Sequence, residues 1–90
     1  MHQHPMVLNK RVHGVPADAV YVGRPTKWGN PFMLNADGSN RDEVVEQYAK
    51  WLFNQPDLMA ELPKLRGRHL VCWCAPLRCH ADVLLELAND

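Results

Sequence analysis

The sequence predicts a small single-domain α/β fold, a sheet of three to four strands, partly parallel, in the order β-β-α-(α)-β-α. Three observations carry this reading. Short apolar runs near residues 6–12, 19–22 and 69–74 have the length and composition of strands. Two longer stretches, opening near residues 40 and 79, place apolar residues at helical spacing. The second and third strand runs are separated by a helical crossover, which favours a parallel pair. An antiparallel hairpin of the first two strands would instead make the fold α+β. Ninety residues hold one core, so residues 6–90 form the domain. Met1–Pro5 is read as a loose terminus, with His2 and His4 on a frayed end.

Each element has a local reason. Met6, Leu8 and Val12 alternate with Val7, Asn9 and Arg11, a period-two pattern for a first strand. Gly14 to Asp18 reads as a turn, and Ala19–Val22 as a short strand stopped at Gly23. Gly23 to Pro31 holds two Gly and two Pro and is irregular. Ala36-Asp37-Gly38 is another turn. Ser39 or Asn40 then caps a helix, with Asp42 or Glu43 three residues on in capping-box position. Val44, Val45, Tyr48, Ala49 and Leu52 form its apolar face, widened by Trp51 and Phe53. Asn54-Gln55-Pro56 breaks it. Asp57 to Leu62 makes a short helix closed by Pro63. Residues 70–74 are apolar on both sides and read as a central, fully covered strand. From Cys79 or His80 a final helix runs to about Ala88, with Val83, Leu84, Leu87 and Ala88 facing inward and Asp82 near its positive end.

A hydrophobic fraction of 47% and a charged fraction of 22% exclude disorder, collagen and coiled coil. No apolar run approaches the ~20 residues of a membrane span, so no membrane partner is expected. Three cysteines, two of them two residues apart, do not make a disulfide scaffold, and a cytoplasmic location is expected. Formal net charge is zero, yet charge is segregated. Residues 1–36 set Lys10, Arg11, Arg24 and Lys27 against Asp18, whereas residues 37–61 carry six acids against Arg41 and Lys50. The acids fall on helices and the bases in loops, and local positive charge attracts anions whatever the total.

Two blocks stand out: Gly23-Arg24-Pro25-Thr26-Lys27-Trp28-Gly29-Asn30-Pro31-Phe32 and Cys72-Trp73-Cys74-Ala75-Pro76-Leu77-Arg78-Cys79-His80. Together they resemble domain of unknown function 4326, an uncharacterised family of small bacterial and phage proteins. Its pattern is Gly-Arg followed by Lys-Trp-Gly-Asn-Pro-Phe, a helix, Arg-Gly, then Cys-Trp-Cys-x-Pro-x-x-Cys-His and Val-Leu. The likeness covers about residues 20–89. It implies no settled activity. Arg78 lies outside the family pattern, so any role for it belongs to this chain. If the chain is phage-encoded, a host protein is a further possible partner.

In open α/β sheets, ligands bind beyond the carboxyl ends of parallel strands, and each block follows a strand. The expectation is a basic crevice for a phosphate-bearing ligand, a nucleotide or a nucleic-acid end. Arg24, Lys27, Gly29 and Asn30 supply charge, close backbone approach and a side-chain amide, and Trp28 supplies a stacking face. Arg78 and the helix start at Cys79–His80 supply further anion contacts. Each residue also has a bland reading: the glycines shape a tight loop, Trp28 plugs the core edge, and Arg24 pairs with an acid.

The cysteines admit three readings. Cys72, Cys74, Cys79 and His80 are the right types for a tetrahedral zinc site in an interaction module for nucleic acid or protein. Against it, alternate strand Cα atoms lie about 6.6 Å apart, while thiolates on one zinc sit about 3.8 Å apart. Alternatively Cys79, beside Arg78 and His80, is a reactive thiolate, with Cys79 as nucleophile or His80 as proton-transfer group. The Cys72-x5-Arg78 spacing resembles cysteine-dependent phosphatases, but no Gly intervenes and Pro76 removes an N–H donor. In the third reading Cys72 and Cys74 are core packing, and Cys79 and His80 only cap the helix.

Overall fold

Three short strands frame the molecule. In the computed structural model, which describes residues 4–90, they are β1 (Val7–Asn9), β2 (Val20–Tyr21) and β3 (Leu70–Cys72). His2 lies outside the described residues. The sheet order is β1-β3-β2, and both outer strands run parallel to β3. The α/β reading therefore holds, and the antiparallel N-terminal hairpin does not form. The register sets Val7 and Val20 beside Leu70, Leu8 and Tyr21 beside Val71, and Asn9 beside Cys72.

Between the strands lie α1 (Lys10–His13), α2 (Arg41–Phe53) and α3 (Pro56–Glu61) with a 3-10 turn at Leu62–Leu65, and α4 (His80–Ala88) follows β3. Because side chains alternate along a strand, Leu70 and Cys72 share one face of β3. That face joins Tyr48 and Leu52 of α2 and Ala81, Leu84 and Ala88 of α4 in one core. Val71 points the other way and is also buried, so β3 is covered on both sides, as its unbroken apolar run predicts.

Four local expectations are corrected. The first strand stops at Asn9 instead of reaching Val12, because the Asn9 side chain accepts Arg11 N–H and caps α1. The third strand ends at Cys72, two residues early. The capping box at α2 is not made: the Asn40 side chain accepts from Asn35 N and donates to Met33 O, tying down the preceding loop. Phe53 is largely exposed and does not extend the core face. Among the described residues, no helix is long and apolar enough to cross a membrane.

Candidate functional site

All three strands deliver their carboxyl ends to the same edge. There the loop after β2, the loop after β3 and the first turns of α2 and α4 enclose a cavity of about 330 Å³. That is within the range of small-molecule sites. Arg24 and Asn30 line it from the first loop, and Cys72, Cys74, Arg78, Cys79 and His80 from the second block. The two blocks thus meet, as their positions after parallel strands require.

The first loop is built around Arg24. Its Nε donates to Asn30 O at 2.7 Å, Nη2 to Phe32 O at 3.2 Å, and Nη1 to Met33 Sδ at 3.2 Å. The chain folds back so tightly that a Cβ on Gly29 would lie 3.0–3.2 Å from Arg24 Cγ, Cα and N. Thr26 closes the first bend, its hydroxyl donating to Gly23 O at 2.6 Å. Asn30 accepts Phe32 N–H at 2.8 Å. A Cβ on Gly23 would displace the ring and hydroxyl of Tyr21, so the glycine leaves room for that ring where it lies. That hydroxyl donates to Arg24 O and accepts from Trp73 Nε1 at 2.8 Å. Tyr21 therefore links the two blocks.

Three expected ligand residues do not line the cavity; Gly29 is one, packed against Arg24 within its own loop. Trp28 is only 4% exposed and packs in the core, its carbonyl accepting the Tyr48 hydroxyl at 2.7 Å. Lys27 pairs with Glu61 at 2.6 Å and holds that carboxyl below its usual range. Neither lines the cavity. The physical reason is the tight bend between Arg24 and Asn30, which turns 27–28 back toward α2 and α3.

Arg41 enters from the first turn of α2 and was not singled out by the sequence, which shows that helix as acidic. Its Nη1 donates to Arg78 O at 3.0 Å. Arg78 in turn pairs with Asp42 at 3.0 Å on the exposed rim. The signal for Arg41 lies in topology: a helix that follows a strand in a parallel crossover starts at the ligand edge, so a base in its first turn faces the crevice.

The three thiols gather at the floor. Cys72 Sγ and Cys79 Sγ are 3.1 Å apart and both are buried, while Cys74 is partly exposed. Cys74 N–H approaches Cys72 Sγ at 3.4 Å. Hydrogen bonds from Cys72, then Cys79, then Arg41 hold the Cys74 thiol well below its ordinary pKa. Hydrogen bonding with Cys72 and Cys74, reinforced by burial, pushes Cys79 up. Cys72 is raised chiefly by its contact with Cys74. The accessible sulfur of the cluster is thus Cys74, while the thiol at the helix start is buried.

His80 is buried, with Nε2 2.7 Å from Val22 O. A carbonyl only accepts, so the ring is the Nε2–H tautomer. Burial lowers its pKa and keeps it neutral. Nε2 is thereby committed to Val22 O. Among the described residues, no group of three or more His, Cys, Asp and Glu side chains is placed to hold a metal ion. Asp82 accepts Cys79 N–H at 2.8 Å and fixes the start of α4.

Comparison with known proteins gives relatives from two viruses. The chain is 31% identical over 86 residues to an uncharacterised protein of Acanthamoeba polyphaga mimivirus, covering 76% of this chain and 65% of that one. It is 31% identical over 74 residues to an uncharacterised 12.4 kDa protein from the nrdA-td intergenic region of Enterobacteria phage T4, covering 78% and 67%. The chain spans about two thirds of the length of these relatives. No solved structure matches. A family match runs across residues 7–90, through β1, both loops and α4, and the chain belongs to that family, domain of unknown function (DUF4326).

Proposed function

We propose that the crevice at the carboxyl ends of the strands binds a small phosphate-bearing ligand, a nucleotide or a nucleic-acid end. The observation that carries this is the convergence of Arg24, Arg41 and Arg78 on one cavity that the apolar side chains of Phe32, Leu34, Val44 and Val45 also line. Such a site pairs cationic contacts for an anion with a surface for a ring. The first turns of α2 and α4 add the positive ends of two helices. Arg24 spends three donors on its own loop and chiefly contributes charge. Arg41 bonds Arg78 O and the Cys74 thiol, and of the five N–H donors of its guanidinium the rest are free for an anion.

A nucleotide panel read by thermal shift and titration calorimetry tests this. A ligand at 100 times its Kd stabilises the protein by about 2.7 kcal/mol. Arg41→Ala should weaken binding by about tenfold or more, since hydrogen bonds to charged groups contribute about 1.5–3 kcal/mol. Lys27→Ala should leave it unchanged. Absence of any shift with nucleotides, short oligonucleotides and inorganic phosphate at millimolar concentration refutes the reading.

A further inference from the structure

We infer that the three cysteines form a thiol–disulfide exchange centre, with Cys74 as the entry thiol and Cys72 and Cys79 as the pair that closes. The inference stands on geometry and does not depend on the phosphate reading. Cys72 and Cys79 Sγ atoms lie 3.1 Å apart. A disulfide needs about 2.05 Å, so closing it asks for about one ångström of travel. Both sulfurs are buried, at 1% and 4% residue exposure, so an external disulfide does not reach them first. Cys74 lies beside them on the cavity wall, is partly exposed, and is the sulfur an incoming molecule meets. Arg41 and Arg78 at the mouth suit an anionic disulfide.

The steps balance with a small-molecule disulfide as oxidant. The Cys74 thiolate attacks one sulfur of the incoming disulfide. Its S–S bond breaks, one thiolate leaves, and Cys74 carries the other half as a mixed disulfide. The departing thiolate takes the proton of Cys79, whose sulfur attacks Cys74 Sγ and expels the second half as a thiolate. That thiolate takes the Cys72 proton, and Cys72 attacks Cys79 Sγ, breaking the Cys74–Cys79 bond and expelling Cys74 as a thiolate. The product is a Cys72–Cys79 disulfide with Cys74 again free. Two protein thiols are oxidised, and one disulfide is reduced to two thiols.

The test uses full-length, tag-free, reduced protein and oxidised glutathione, followed by alkylation of remaining thiols, peptide mapping and intact mass. The expected end point is a Cys72–Cys79 link, one alkylated thiol at Cys74 and two glutathione thiols released per chain. The double variant Cys72→Ser with Cys79→Ser should stop at a single glutathione adduct on Cys74, because Cys72 also touches Cys74 and could resolve the adduct alone. Cys74→Ser should slow closure by about tenfold or more, because attack depends on access and thiolate character. Wild-type protein alkylated once at Cys74 serves as a second block that needs no substitution. Retention of three alkylatable thiols, a stable Cys74–Cys79 end product, closure at the wild-type rate with Cys74 blocked, or a purified protein whose thiols are masked by stoichiometric zinc each overturns the inference. Nucleotide binding is read separately, so either proposal can fail alone.

Discussion

Gly23 and Tyr21 show how one missing side chain sets the site. Tyr21 folds across Gly23 so that its hydroxyl joins Arg24 O to Trp73 Nε1. A methyl group at Gly23 would drive that ring away and break both bonds. Gly23→Ala should therefore cost about 1–3 kcal/mol, the usual range for overpacking, measured by urea denaturation. It should also raise Trp73 fluorescence sensitivity to quenchers, because the indole loses its anchor. Lys10 holds the same pair from above, 4.7 Å from the Tyr21 ring and 5.1 Å from Trp73. Arg24 was readable in the sequence as a site residue, and it does line the cavity. Trp28 was not, because a lone Trp in a Gly/Pro loop looks the same whether it stacks on a ligand or plugs a core. Its neighbour across the core, Tyr48, decided the matter by binding its carbonyl.

At the scale of elements, helices with a sustained apolar face were legible and short ones were not. The buried residues of α2 are Val44, Val45, Tyr48 and Leu52, the stripe that helical spacing marks out. By contrast α1 is four residues long and buries none of them, so no periodicity announces it. The early end of β3 was hidden because Trp73 and Cys74 are as apolar as the strand before them. Asn9 supplies the missing reason. Its amide donates to Trp73 O at 3.1 Å and Ala75 O at 2.9 Å, holding the chain after β3 in a loop while its oxygen caps α1. One residue thus ends two strands. Asn9→Ala should lose about 1 kcal/mol of stability from the cap. It should also speed hydrogen exchange at residues 73–79. Asn9→Ser, whose hydroxyl can still cap but cannot span to the loop, should recover most of the stability and little of the exchange protection.

For the molecule as a whole, the parallel order β1-β3-β2 brings segments some fifty residues apart to one edge. That convergence is legible in the sequence because strand-following loops of a parallel sheet have nowhere else to go. The fastening is not legible there, because no spacing marks a histidine that bonds a backbone carbonyl 58 residues away. His80 fastens the start of α4 to the end of β2 through Val22 O, and its ring meets Tyr48 of α2 edge-on with centroids 5.0 Å apart. Three elements therefore depend on a neutral imidazole. Burial is the main cause of its lowered pKa; Arg24 lowers it further, while the Val22 carbonyl, Cys74 and Asp82 oppose the shift. Since the folded value lies below that of the unfolded chain, about 6.5 for free His, the unfolded chain binds the extra proton first. Stability from this group is complete above that pH and is lost as pH falls through the window between the two values. Denaturation midpoints measured from pH 8 to pH 5 should hold steady at first and then decline. His80→Gln, which can still donate to Val22 O but does not titrate, should start lower and show a shallower decline over the same range. An equal slope in both proteins would assign the acid sensitivity to other groups and remove His80 as the fastening between sheet and helices.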